Sequence, residues 1–287
     1  MKAPWCPMPD ERALAITWLA AGKRAMVVEV AVARGSVPRG PGTRMLVAAD
    51  ATAGTIGGGH LELKAIAHAR QRLAAGADAP DTLHFPLGPA LGQCCGGAVT
   101  LRFAPLDAAA LAVWPLPTPR FRLQLYGAGH VGRAIVRALA PLDVPIDWID
   151  EREEEFPAVF PGSPGGSGGA WPPQVRRVCV DAPEAEVAEA AAGAFFLVLT
   201  HRHDLDLRIA EAVLRRGDFG FLGLIGSKTK RQRFEHEFAR RGIAAETVAR
   251  MACPIGVDGI DGKEPEVIAV AVAAQLLQVA SAEQATF

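Results

Sequence analysis

Two adjacent cysteines, Cys94 and Cys95, stand in a run of small residues, Gly92-Gln93-Cys94-Cys95-Gly96-Gly97. Thiolate is the soft, nucleophilic form of cysteine, and electropositive neighbours favour it. Buried structural cysteines are the commoner reading. Two thiols in one glycine turn, with little bulk around them, favour contact with a ligand or a metal. Cys253, in Met251-Ala252-Cys253-Pro254-Ile255-Gly256, is a lesser candidate of the same kind, and Cys6 and Cys179 read as structural. Five cysteines is an odd number and no Cys-x-x-Cys pair is present. Reduced thiols are therefore expected rather than disulfides or a zinc knuckle.

Gly127-Ala128-Gly129-His130-Val131-Gly132 has the form of a dinucleotide fingerprint, where glycines allow a tight turn, close approach of a phosphate and close helix–strand packing. Asp150 falls where an acidic side chain would meet a ribose hydroxyl. His130 sits where a diphosphate would pass. Thr200-His201-Arg202-His203-Asp204-Leu205-Asp206 looks like a metal loop, yet a metallo-hydrolase needs His-x-His-x-Asp-His, and here Asp204 comes one position early. The alternatives are that His201 and His203 face a ligand at a sheet edge, or shape that edge while Asp204 caps the next helix. Gly226-Ser227-Lys228-Thr229-Lys230-Arg231 combines a helix start with three cations and reads equally as an anion site or a solvated basic turn.

Nearer the start of the chain, Gly35-Ser36-Val37-Pro38-Arg39-Gly40-Pro41-Gly42 and Gly54-Thr55-Ile56-Gly57-Gly58-Gly59 are unusually glycine-rich. Consecutive N–H groups in such runs can point inward as an anion nest, with Arg39 adding charge. Tight turns that need positive φ are the other explanation.

Alternating elements must position these groups. Trp114-Pro115-Leu116-Pro117-Thr118-Pro119 cannot continue a helix or a central strand, so it divides residues 1–115 from 120–287. The first part reads as a small α+β domain, with helices over Asp10–Ala21 (capped by Asp10) and Leu61–Ala74 and strands over Ala25–Ala33, Arg44–Ala49 and Val99–Phe103. In the second, strands over Phe121–Tyr126, Val144–Ile149, Val175–Val180, Phe195–Thr200 and Phe219–Ile225 alternate with helices. Those helices are expected near Val131–Ala140, Pro183–Ala192, Leu205–Arg215 and Lys230–Arg241. Strict alternation implies an α/β fold, a Rossmann-like doubly wound parallel sheet. Arg122 and Gln124 are unexpected in its first strand, which should be apolar throughout. A last helix, Pro265–Val279, is apolar nearly all round and is expected to be buried between domains or in a dimer interface. Residues 161–173, rich in Gly, Pro and Ser, read as a surface insertion.

Across 287 residues, half are apolar, 21% are charged and the net charge is −1. That balance supports buried cores and argues against disorder. It also removes the electrostatic case for general nucleic-acid binding. The apolar runs fall short of membrane-spanning length, and the first residues show no apolar secretory segment, so a cytoplasmic protein with no membrane partner is expected.

Seven stretches together resemble the XdhC/CoxI family of molybdenum-cofactor accessory proteins: GSVPRGPGTRMLV (35–47), GTIGGGHLE (54–62), LGQCCGG (91–97), LYGAGHVGRA (125–134), LTHRHDLDL (199–207), GLIGSKTKR (223–231) and CPIGVDGIDGKEPEVIAVAVAAQLL (253–277). The resemblance implies a chaperone rather than a turnover enzyme. Such a protein binds molybdenum cofactor, holds it for sulfuration by a partner cysteine desulfurase and delivers it to the molybdenum-bearing subunit of xanthine dehydrogenase, often as a homodimer. The implied cofactor is the molybdopterin form, with the dinucleotide form left open. Its expected site is a cleft between the domains. Gln93, Cys94, Cys95, Arg39, Gly57, Gly58 and Gly59 would line one side, the two thiols toward molybdenum. Gly127, Gly129, His130, Gly132, Asp150, His201, His203 and Lys228 would line the other. Two alternatives come from the motifs alone. One is an NAD(P)-dependent oxidoreductase resting on Gly127–Gly132 and Asp150, and the other a metal-dependent hydrolase using His201, His203 and Asp204.

Overall fold

The computed structural model describes residues 11–87, 96–116, 118–160 and 171–284. Gln93, Cys94, Cys95, Cys6 and Asp10, the cap expected for the first helix, lie outside them. The chain divides into two compact units, one over Pro9–Leu116 and one from Pro117 onward.

The first unit contains α1 (Glu11–Ala20), β1 (Ala25–Arg34), β2 (Arg44–Ala48), β3 (Thr52–Gly54), α2 (Gly59–Ala74), β4 (Asp81–Pro86), β5 (Ala98–Pro105) and α3 (Ala108–Ala112). Its strands form one antiparallel sheet in the order β3-β2-β1-β5-β4. Side chains alternate across β1, which gives the sheet two apolar faces. Met26, Val28 and Val30 pack with Leu61, Ala65 and Ala69 of α2, while Ala25 and Val27 join Ala15 of α1. Leu61 is fully buried, and truncating it to alanine would cost about 2–5 kcal/mol. β3, β4 and α3 are absent from the sequence reading. β4 is an edge strand that alternates half-buried Leu83 and Phe85 with exposed Thr82 and His84, a short signal beside proline and glycine.

The second unit contains β6 (Leu123–Tyr126), α4 (His130–Leu139), β7 (Ile146–Asp150), β8 (Val175–Cys179), β9 (Phe195–Val198), α5 (His203–Arg216), β10 (Phe221–Leu224), α6 (Lys228–Arg240), α7 (Ala245–Ala249), β11 (Met251–Ala252) and α8 (Pro265–Gln284). Six parallel strands run in the order β11-β10-β9-β6-β7-β8, a doubly wound Rossmann sheet. Burial on both faces explains the apolar strands. Leu125, Trp148, Leu197 and Phe221 pack beneath α4 and α8, while Tyr126, Phe196, Val198 and Leu224 pack beneath α5 and α6.

Three expectations need correction. The segment expected as an α-helix at Pro183–Ala192 is a 3₁₀ turn over Pro183–Glu189. Side chains share its carbonyls with short backbone bonds such as Ala190 N to Val187 O. Arg216 donates to Val187 O and Ala188 O, and Gln124 Nε2 to Glu186 O. The same contact, with Tyr126 Oη donating to Gln124 Oε1 at 2.6 Å, accounts for a polar residue in β6. α8 is not apolar-buried all round. Ala269, Val272, Leu276 and Ala280 face the core beside α4, whereas Val270 is exposed. By length and composition α8 would suffice to cross a bilayer, longer than the apolar runs suggest, but here its inward stripe belongs to the domain core. The third correction concerns Asp204 and belongs to the site.

Candidate functional site

The two strand-order halves of the Rossmann sheet diverge between β6 and β9, and open α/β sheets bind ligands at the carboxyl ends beside such a divergence. β6 leads there into the turn 127–132. A Cβ on Gly127 would lie 2.3 Å from Leu199 O, and one on Gly132 would lie 2.1 Å from Gly127 O. Those two glycines serve packing. Gly129 differs: its φ is −69°, and a Cβ there would meet nothing within 4 Å. Gly129 is also the N-cap of α4 and offers no side-chain cap to the positive end of that helix. His130 follows it, exposed to solvent.

Asp150 holds this turn from below. Its Oδ2 accepts from Ala128 N at 2.7 Å and Arg152 Nη2 at 3.0 Å, and its Oδ1 accepts from Arg152 N and Nε, each at 3.0 Å. Burial raises the pKa of Asp150, but the Arg152 side chain and the two backbone amides outweigh it, and the net shift is downward. The carboxylate expected at a ribose hydroxyl is thus engaged within the protein through both oxygens. Arg152 also reaches Glu155 at 3.2 Å, and Glu155 pairs with Arg133 of α4 at 2.9 Å.

The loop after β9 is built on a buried ion pair. Lys230 Nζ donates to Asp206 Oδ2 at 2.6 Å and to Ile225 O at 2.7 Å, with the two side chains 8% and 2% exposed. Asp206 Oδ1 accepts from Thr200 N at 3.0 Å and Thr200 Oγ1 at 2.7 Å. Around this network Thr200, His201, His203, Asp206, Ser227 and Lys230 line a pocket of about 230 Å³. His201 Nε2 stands 3.5 Å from Glu151 Oε1. Asp204 does not cap α5: the N-cap is Arg202, and Asp204 turns outward to pair with Arg202 at 2.6 Å and Arg208 at 3.1 Å. The Arg202 hydrogen bond holds the Asp204 carboxyl well below the usual carboxylate range. Among the described residues no three His, Cys, Asp or Glu side chains are grouped to hold a metal, which leaves the hydrolase alternative without a ligand set there.

The expected basic triad is divided in the structure. Lys230 is committed to Asp206, and Arg231 pairs with Glu235 at 2.8 Å. Lys228, the exposed first residue of α6, has no ion-pair partner among the described residues. Ser227 caps this helix, accepting from Lys230 N.

In the first unit the glycine-rich segments do converge. A Cβ on Gly57 would meet Pro38 at 2.5 Å, and one on Gly97 would meet Arg34 O and Ser36 O at 2.5 and 2.4 Å. The segment 35–39 thus meets Gly97 at its start and Gly57 at its end. The anion nest, however, holds an anion of the protein's own. Glu62 Oε2 accepts from Ile56 N and Gly58 N, each at 3.1 Å, and from Thr55 Oγ1 at 2.5 Å. Glu62 and Asp206 were missed by sequence reasoning. The available signal for Asp206 was its place on the stripe that also carries Ile209 and Val213, where a buried acid demands a partner.

Comparison with known proteins follows this division. Residues 123–276 match the family described as the XdhC Rossmann domain, and residues 18–86 match the XdhC and CoxI family. YqeB of Escherichia coli (strain K12), described as uncharacterized, is 32% identical over 263 residues, covering 88% of this chain. The chain spans 43% of that relative's length. A crystal structure described as a xanthine dehydrogenase from Bacillus halodurans has the same fold, with a TM-score of 0.75 at 19% identity over 95% of this chain and 96% of that one. Each folded unit thus finds its own match in one lineage, and the chain belongs to the XdhC and CoxI family.

Proposed function

We propose that this protein acts in xanthine dehydrogenase maturation as a cytoplasmic carrier of molybdenum cofactor, without catalytic turnover of its own. The observation that carries the reading is Gly129. The fold supplies no internal reason for a glycine there, since its backbone is ordinary and the space above it is open. Such space at an uncapped helix start suits the anionic group of a bound ligand.

The residues fit the cofactor's chemistry. Its phosphate matches the N–H groups at Gly129 and His130. Its pterin, rich in hydrogen-bonding edges, matches the polar pocket of Thr200, His201 and His203. When bound, the cofactor supplies a molybdenum centre for the receiving enzyme. The protein's own part is to hold the phosphate, orient the pterin and shield the metal, for which Gln93, Cys94, Cys95, Arg39 and Gly57–Gly59 are the proposed groups of the first unit. The internal engagement of Asp150 favours the molybdopterin form over a dinucleotide and weighs against an NAD(P) oxidoreductase. The molybdenum-bearing subunit of xanthine dehydrogenase and a cysteine desulfurase are the proposed partners, met by a homodimer.

Anaerobic purification from cells that make the cofactor, followed by molybdenum and oxidised-pterin determination per chain, tests this. Both are expected near one per chain. Gly129→Val should lower both, and Cys94→Ser/Cys95→Ser should lower molybdenum retention. Absence of both from the wild-type chain, with cofactor supply confirmed, would overturn the reading.

A further inference from the structure

A parallel sheet is ordinarily covered by helices on both faces. Between β8 and β9, however, the crossover contains only the 3₁₀ turn Pro183–Glu189. Beside that turn three polar strand residues stand in register, Gln124 of β6, Asp147 of β7 and Arg176 of β8. They line a hollow of about 440 Å³ at the amino ends of these strands, the edge opposite the turn 127–132. The volume lies in the range of small-molecule sites, and much of the remaining lining is small or apolar, including Pro145, Pro173, Ala190, Ala191 and Ala194.

Gln124 is satisfied internally, through Glu186 O and the Tyr126 hydroxyl. Other lining groups are not. Asp147 Oδ1 accepts from Arg176 Nε at 2.7 Å, while its Oδ2 accepts no hydrogen bond among the described residues. Gln174 is 3% exposed, and its Nε2 donates to Ala140 O, but its Oε1 is buried without a partner. A buried acceptor left unpaired is costly and uncommon. Arg122, unexpected in the first strand of such a sheet, makes no side-chain hydrogen bond or ion pair among the described residues. Glu189 also lines the hollow and has a partner of its own. The open groups are thus one guanidinium and two acceptors. A phosphate or a dicarboxylate would face the carboxylates of Asp147 and Glu189, and a simple amine would leave Arg122 unanswered. A ligand that carries both signs answers all three.

We propose that this hollow binds a free α-amino acid with an apolar side chain. The amino acid's carboxylate meets the forked donors of Arg122, its ammonium donates to Asp147 Oδ2 and Gln174 Oε1, and its side chain lies against Pro145 and the alanines. The site shares no residue with the proposed carrier site and needs no molybdenum, so either can fail without the other.

Calorimetric titration of the purified full chain with L-leucine and L-phenylalanine tests the proposal. Each is compared with the acid that lacks its ammonium (4-methylpentanoate, 3-phenylpropanoate) and the amine that lacks its carboxylate (isoamylamine, phenethylamine). At least one amino acid should bind saturably, one per chain, about tenfold or more tighter than its acid or its amine, as loss of a charged hydrogen-bond partner predicts. Arg122→Ala should bring the amino acid down to the level of its amine and leave the amine unchanged. Asp147→Asn should weaken the amino acid and not the acid, a split that loss of structure would not produce. Arg122 is exposed and Asp147 partly so, and unchanged thermal melting of the variants checks the fold. Gly129→Val, at the other end of β6, should leave the titration unchanged. Failure of both amino acids to bind at millimolar concentration would overturn the proposal. So would an acid or amine that binds as tightly as its amino acid, affinity undiminished in Arg122→Ala, or binding lost in Gly129→Val.

Discussion

The ammonium of Lys230 lies 2.6 Å from the carboxylate of Asp206, both withdrawn from water, and the contact ties the helix after β9 to the helix after β10. Taking two charges out of water is costly, and attraction alone seldom returns the cost. Here the remaining valences are used, by Thr200 on the acid and Ile225 O on the base. The pair fixes the floor of the pocket that contains His201 and His203.

Removing one partner should therefore hurt more than removing both. Lys230→Met is expected to destabilise the chain by about 3–5 kcal/mol, because it strands a buried carboxylate. Lys230→Met/Asp206→Leu should recover a good part of that loss. Urea unfolding of the wild type, each single variant and the double variant checks it. Additive losses would show that the two charges do not act as a pair.

Asp150 gives a pH dependence of definite sign. Its carboxyl is shifted below the ordinary value of 3.8 in the folded protein. The stability it contributes is therefore fully present above the unfolded value and is lost as pH falls through the folded one. Asp150→Asn should flatten the acid limb of a stability-against-pH curve below about pH 4 and cost about 1–3 kcal/mol at neutral pH. Superimposable acid limbs for the two proteins would contradict this.

The three fingerprint glycines should separate by role. Gly127→Ala and Gly132→Ala force a Cβ onto backbone and should each cost several kcal/mol, on the order of 2–4. Gly129→Ala meets open space and should change stability by less than about 0.5 kcal/mol. Thermal melting of the three single variants decides it. Equal losses at all three would mean that Gly129 is a packing residue as well.

Glu62 occupies the turn in the first unit that otherwise resembles an anion nest. Glu62→Ala leaves the amides of Ile56 and Gly58 and the Thr55 hydroxyl without their acceptor, at a cost of about 1–3 kcal/mol. Added phosphate should restore part of this loss in the variant and little in the wild type. Identical phosphate responses would show that the vacated amides do not form an anion site.

Much of the second unit was legible from sequence. Five apolar strand segments separated by amphipathic ones leave few topologies, and the glycine turn after β6 marks where that sheet diverges. The short elements were not legible. β3, β11 and α7 have two to five residues each, too few for a period to show. The 3₁₀ turn at Pro183–Glu189 was read as a helix because the alanine-rich sequence favours one, whereas Arg216 and Gln124, remote in the chain, claim its carbonyls.

The sequence by itself determined the residue types at the carboxyl edge of the Rossmann sheet, their order and the family pattern, because these depend on local spacing. Only the tertiary structure decided which of those groups are available. Asp150 and Glu62, both acids beside glycine turns, prove to be the turns' own acceptors. Lys230 is spent on Asp206, while Lys228, two residues earlier, is not. A buried polar group must find a partner, and that partner can lie 22 or 24 positions away, as Ala128 does from Asp150 and Lys230 from Asp206.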